Sequence, residues 1–224
     1  MHCPVCLGLQ TTSFMVAGER RYWRCGQCEA RFLDPDHFLS SEHEYNHYLL
    51  HENDTGDLGY RAFLAKLANP LLEKLQPVSS GLDYGCGPGP ALAVMLTEAG
   101  HQVNLFDPYF HNDAQVLKGR YDFITCSETA EHFYRPWEEF HRLDSMLNNG
   151  AWLAIMTCFQ TDDAAFQRWY YRRDPTHVVF YRQRTFAWLA KRFGWRCEFP
   201  VKDVALMQKM SGGAGVEFGL SDTT

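Results

Sequence analysis

Apolar and polar positions follow two rhythms along this chain, and the change from one to the other marks out its elements. Between Tyr60 and Leu75, apolar residues fall at 63, 64, 67, 68, 71, 72 and 75, the spacing of a helix with one buried face. Pro70 lies inside that run and predicts a kink or a pair of shorter helices. Short apolar runs then alternate with helical ones. Strands are predicted at Gly81–Tyr84, Val103–Phe106, Tyr121–Cys126, Ala151–Thr157, Trp195–Phe199 and Val204–Met207. Helices are predicted at Pro90–Ala99 (closed by Gly100), at Pro136–Leu147 (stopped by Asn148-Asn149-Gly150) and at Arg184–Phe193 (ended by Gly194). Such alternation predicts an α/β fold, a Rossmann-like doubly wound sheet, over residues 79–210. Residues 37–78 read as a helical connector, His-rich and polar at first, and 211–224 as a Gly-rich, flexible tail.

Composition narrows the class. The chain has 224 residues, 46% hydrophobic and 15% aromatic, enough for a large core. A net charge of −6 argues against a protein that coats nucleic acid. No apolar run approaches the roughly 20 residues needed to span a bilayer, and the first residues lack a signal peptide's apolar core. A cytoplasmic location is the expectation. Of eight cysteines, four form two close pairs, Cys3-x-x-Cys6 and Cys25-x-x-Cys28, 18 residues apart. Two knuckles of this form place four thiolates around one zinc, so residues 1–36 are expected to form a small zinc ribbon stabilised by its metal. A full set of four cysteine ligands leaves no open coordination position. Cys86, Cys126, Cys158 and Cys197 read as buried small residues.

Leu82-Asp83-Tyr84-Gly85-Cys86-Gly87-Pro88-Gly89 places an acid at a strand end before three alternate glycines. Glycines let the backbone turn sharply and approach a ligand, and the next helix offers free N–H groups. A dinucleotide fingerprint needs its third glycine three positions after the second, but Pro90 and Leu92 occupy the candidate positions. Asp107 closes the next strand, 18 residues beyond Gly89, where an acid can bind both hydroxyls of a ribose.

With LFDP, YDFITCSETAEHF and LNNGAWLAIMT, this segment resembles class I S-adenosylmethionine (SAM)-dependent methyltransferases from about Gly81 to Gly150. The resemblance implies SAM contacts at Asp83, Gly85, Cys86, Gly87 and Gly89, ribose binding at Asp107, and backbone contacts near Cys126 and Ser127. Only 13 residues separate Asp107 from Tyr121, so the usual third strand must be abbreviated. The opening CPVC…CGQC also resembles zinc-ribbon sugar C-methyltransferases, without their long C-terminal domain.

Glu128, Glu131 and His132 share one face of a helical turn, at the sheet edge where α/β enzymes bind ligands, and His177 could return over the same pocket. Three readings stand. Glu131 and His132 could order the loop; His132 or His177 could be a general base; or Glu128, Glu131, His132 and His177 could hold a divalent ion. The last is suggested by similarity to metal-dependent O-methyltransferases, with Mg or Mn as the expected ion.

From Arg168 to Arg196, eight basic residues interleave with aromatics, Tyr171 among them, against one acid, Asp174. Arg172 and Arg173, beside His177, could hold an anionic acceptor. The expected activity is methyl transfer to a small molecule, at a hydroxyl or activated carbon. RNA is the second candidate acceptor, and a non-catalytic SAM-binding interaction module the third reading.

Overall fold

A computed structural model describes residues 1–50 and 54–211. Apart from Ser211, the expected flexible tail lies outside the described residues. The chain opens with strands β1 (Thr11–Ala17), β2 (Arg20–Cys25) and β3 (Arg31–Leu33), then helices α1 (Ser41–Tyr48) and α2 (Leu58–Leu72). The alternating region follows as β4 (Ser80–Tyr84), α3 (Ala91–Glu98), β5 (Gln102–Phe106), β6 (Tyr121–Ser127), α4 (Pro136–Met146) and β7 (Leu147–Met156). The last elements are α5 (Asp163–Arg168), β8 (Val179–Phe180), α6 (Gln183–Phe193), β9 (Trp195–Glu198) and β10 (Val204–Lys209).

Six strands form the central sheet in the order β5-β4-β6-β7-β10-β9. The first four are parallel, and β10 runs antiparallel to both β7 and β9. This is the Rossmann-like methyltransferase arrangement without its third strand. The expected abbreviation is real: between Asp107 and Tyr121 stand an isolated bridge, Asp107 to His111, and a single 3-10 turn at Val116–Lys118.

The period-2 pattern of the strands explains why the sheet is covered on both faces. Phe123, Ala154, Met156 and Leu206 point to one face, where they pack with Leu64, Leu67, Leu71, Leu92 and Leu96 of α2 and α3. Their neighbours Ile124, Leu153, Ile155, Ala205 and Met207 point to the other, against Phe140, Leu143, Phe186 and Leu189 of α4 and α6.

Two sequence expectations change. α2 is one helix, not two: Pro70 falls in its last turn, where it removes one intrahelical bond just before the helix ends anyway. Asn148-Asn149-Gly150 does not separate α4 from β7, because β7 begins at Leu147 and absorbs those residues as an irregularity between its pairings with Tyr121 and Phe123.

The cysteine segment is not an independent unit. β1, β2 and β3 form an antiparallel sheet, and its fourth strand is β8, from far along the chain. Arg31 pairs with Phe180 and Phe32 with Val179. Leu33 N–H donates to the Val178 carbonyl at 2.8 Å. The two-residue β8 carries no periodicity of its own, so the pattern could not announce it. Arg31 is 1% exposed; its guanidinium pairs with Asp163 of α5 and lies 4.4 Å over the Phe14 ring and 4.8 Å over that of Phe166. Burial pulls its pKa down to about 10, which leaves it charged near neutrality. Tyr22, Phe32, Phe166 and Phe180 join the same core as Ile124 and Phe140, so ribbon and sheet share one apolar interior.

Phe180 is fully enclosed by the rings of Tyr22, Phe166 and Trp169. Phe180→Ala should therefore cost about 3–5 kcal/mol in urea unfolding of the whole domain. A loss below about 1 kcal/mol would contradict a shared core.

Candidate active site

A cavity of about 1030 Å3 opens at the carboxyl ends of β4, β5 and β6, the edge of an open parallel sheet where loops converge. The glycine turn forms one wall. Gly85 and Gly87 adopt φ of 77° and 64°, in the left-handed region. A Cβ on Gly85 would lie 2.1 Å from Thr129 Cγ2, so this position needs glycine for space as well as for conformation. Thr129 is the latch: its hydroxyl reaches the carbonyls of Gly85, at 3.1 Å, and Ser127, at 3.0 Å.

Asp83 is 3% exposed and accepts from the Thr125 hydroxyl at 2.7 Å. Burial raises its pKa to about 6, against the lowering effect of the Thr125 hydroxyl and the Ala93 N–H at the start of α3. Asp107 is gripped by backbone: Gly87 N–H donates to one oxygen at 3.0 Å, and the N–H groups of Tyr109 and Phe110 donate to the other at 2.9 and 3.1 Å. Asp83, Gly85, Cys86, Gly87, Gly89, Asp107 and Ser127 all line this one cavity. Cys126 does not; it is fully buried within β6 behind the wall.

The acid–histidine cluster lines the same cavity. Glu128 lines the cavity with φ of 50°, in the left-handed region. Burial, and then repulsion from Glu131, raise its pKa to about 9. The 3-10 turn Ala130–His132 carries Glu131 and His132. His132 and His177 line the cavity, while Glu131 is 0% exposed behind them. Each imidazole Nε2 lies 4.0 Å from Glu131 Oε1, and the rings are 4.8 Å apart. Their outer nitrogens face carbonyls: His132 Nδ1 is 3.1 Å from the Thr176 oxygen and His177 Nδ1 is 2.7 Å from that of Tyr171. A carbonyl only accepts, so each Nδ1 carries the proton. In the neutral ring that leaves both Nε2 lone pairs turned inward. Burial lowers the His177 pKa, which favours this neutral form.

Sequence reasoning grouped Tyr171 with the stacking aromatics, but it does more. Its buried hydroxyl donates to Glu131 Oε1 and lies 3.0 Å from the Thr157 hydroxyl, while its carbonyl orients His177. One residue thus fixes two members of the cluster. The only sequence signal was a tyrosine a few residues before His177. Arg172 and Arg173 also separate. Arg172 is tied to Tyr22 and to the Phe166 and Gln167 carbonyls, outside the cavity, whereas Arg173 lines it.

Among the described residues, two sets have the donors for a metal ion. Glu131, His132 and His177 bring their ligand atoms within 4.8 Å of one another, and Glu128 is outside that group. Cys3, Cys6, Cys25 and Cys28 do the same with four buried sulfurs. Cys3 and Cys28 Sγ are 3.6 Å apart, and Cys6 and Cys25 Sγ 3.5 Å. These separations are far longer than a disulfide and close to the ~3.8 Å edge of a tetrahedron with ~2.3 Å Zn–S bonds. The Gln27 and Cys28 N–H groups point at Cys25 Sγ, as expected around a thiolate ligand.

Gly85→Ala should destabilise the protein by about 1–3 kcal/mol in denaturant unfolding, from left-handed strain and the clash with Thr129. Unchanged stability would show that the turn has room to relax.

Residues 57–198 match the family model described as a methyltransferase domain. No curated protein matches significantly. Among solved structures, the chain is similar to the N-methyltransferase NodS from Bradyrhizobium japonicum bound to S-adenosylhomocysteine (SAH). The two share 15% identity with TM-score 0.51, over 75% of this chain and 98% of that one. It is also similar to 1,6-didemethyltoxoflavin-N1-methyltransferase from Burkholderia thailandensis, at 16% identity and TM-score 0.50, over 89% and 99% of the two chains. With human N-acetylserotonin methyltransferase bound to SAM it shares 13% identity and TM-score 0.51, over 67% and 54%. Covering well over half of the sequence, the family match establishes that this chain belongs to the methyltransferase-domain family.

Proposed function

We propose that the protein transfers a methyl group from SAM to an oxygen of a small-molecule acceptor held against His132 and His177. The observation that carries this reading is that His132 and His177 line one cavity with the glycine turn, each with Nδ1 held by a carbonyl and Nε2 left as its basic nitrogen. On the donor side, the open backbone of Gly85, Cys86, Gly87 and Gly89 accommodates the methionyl part. Asp107 receives the ribose hydroxyls, exchanging backbone donors for sugar ones, and Asp83 offers negative charge to the cationic end. Ser127, whose buried hydroxyl has no partner among the described residues, faces the same space.

Methyl transfer is a displacement at the sulfonium-bound carbon, and it needs alignment together with removal of the acceptor's proton. An imidazole Nε2 takes that proton, and the buried Glu131 carboxylate, 4.0 Å from both rings, stabilises the imidazolium formed. A second reading gives the same three residues a divalent ion such as Mg or Mn. The unpartnered Oε2 of Glu131 and the carbonyl-oriented imidazoles fit it. When bound, such an ion would acidify an acceptor hydroxyl. The four cysteines suit a structural zinc that carries no chemistry, since its coordination would be full.

Elemental analysis should find one zinc per chain, lost with unfolding of the ribbon in Cys25→Ser; metal-free protein with a folded ribbon would exclude it. Asp107→Ala should weaken SAH binding at least tenfold in calorimetry, and equal affinity would refute the ribose assignment. The ionised Asp83 attracts a cation and the protonated acid does not, so SAM affinity should fall as pH drops through about 6; a flat profile from pH 7 to 5 would contradict its role. With labelled SAM and a cell extract, label should enter small molecules, whereas label confined to RNA would overturn the acceptor class.

A further inference from the structure

The acceptor's own chemistry can be read from the walls that remain once the donor side is filled. Helix α1 covers the cavity between Asp107 and His132. Its Glu44 is 5% exposed and accepts from two phenols, Tyr48 at 2.8 Å and Tyr109 at 2.8 Å. Both hydroxyls are drawn back to Glu44, which leaves aromatic surface as their contribution to the cavity. Tyr48 meets the His132 ring edge-on at 5.4 Å, and Tyr109 packs 5.6 Å from Tyr48. A phenol that donates to a carboxylate is enriched in electron density, so these two rings attract flat aromatic edges and cations. On the far side Phe133 stands 6.2 Å from Tyr84, which stacks on Phe106 at 5.1 Å.

The charges point the same way. Glu44, Asp83, Asp107 and Asp174 line the cavity with no arginine or lysine paired to them, and Glu131 lies just behind. Of the three arginines lining the cavity, Arg142 is committed to Glu139 and Arg135 to Glu138, which leaves Arg173 as the one of them without an ion pair among the described residues. SAM itself brings a net charge of about +1 and cannot offset this excess.

We infer that the acceptor is an aromatic hydroxyl compound without an anionic group, its ring packed on the cavity side of the Tyr48–His132 edge contact and its hydroxyl at the His132–His177 pair. This rests on reading the cavity as the methyl-transfer site, and it reverses the anionic acceptor that the run of arginines predicts. The acceptor O–H loses its proton to an Nε2, its oxygen bonds to the methyl carbon, and the C–S bond electrons return to sulfur, giving SAH.

The test uses SAH-saturated full-length protein and three probes of one shape: tyramine, methyl 4-hydroxybenzoate and 4-hydroxybenzoate. SAH binding is measured first, and its absence would defeat the parent reading independently. Saturation-transfer NMR should then give dissociation constants for the amine and the ester at least about tenfold below that of the carboxylate. Tyr48→Leu should weaken the two bound probes by about tenfold, with SAH affinity changed less than twofold. Equal or tighter binding of 4-hydroxybenzoate would overturn the charge assignment. Failure of all three probes to bind, or indifference of the ester to Tyr48→Leu, would overturn the aromatic seat.

Discussion

The peptide of Val178 joins the two ends of the structure. Its carbonyl accepts from Leu33 N–H at 2.8 Å, and its own N–H donates to the Glu131 carbonyl at 2.9 Å. One residue is thus hydrogen-bonded on one side to the last strand of the cysteine ribbon and on the other to the turn that carries Glu131 and His132. His177 is its immediate neighbour in sequence. The ribbon makes a second contact nearby: the Pro4 carbonyl, inside the first knuckle, accepts from Trp137 N–H at 3.1 Å at the start of α4, five residues beyond His132. Both histidines are therefore bracketed by backbone bonds to the N-terminal segment. A structural metal there would act on catalysis through the backbone, without touching a substrate.

That arrangement allows the site to concentrate buried charge. Glu131 is fully enclosed, with Tyr171 on one oxygen and two imidazoles facing it. An ionised group in such a place is costly unless its partners are held in position. The carbonyls of Thr176 and Tyr171 hold the rings, and the β3–β8 ladder holds the strand that follows. On the glycine-turn wall Asp107 is held in the same way, by three backbone donors, where it lines the cavity.

Much of this was legible in the sequence. The central sheet followed from period-2 and period-3.6 runs that match their burial, and the glycine-turn wall of the cavity followed from Asp83, the alternate glycines and Asp107. The cysteine spacing led directly to four converging sulfurs. What the pattern could not show was non-local. β8 has two residues, so only its pairing with Arg31 and Phe32 reveals it. Tyr171 acts through a hydroxyl and a carbonyl pointing in different directions, which no spacing rule encodes. Arg172 and Arg173 are adjacent and chemically identical, and only their side-chain directions separate a packing role from a cavity one. Glu128 sat at metal-ligand spacing, yet it lies outside the group formed by Glu131, His132 and His177.

In the proposed mechanism the cysteine ribbon, through these backbone bonds, holds the two histidines in the Nδ1–H tautomer that proton transfer requires. The most direct measurement is side-chain 15N NMR of His132 and His177 in the intact protein and in Cys6→Ser/Cys28→Ser, with SAH affinity measured on the same samples. Two Nδ1–H tautomers are expected in the wild type. In the variant that signature should be lost at both histidines, while SAH still binds within about threefold through the glycine turn and Asp107. Retention of both tautomers after the ribbon has unfolded would contradict this coupling.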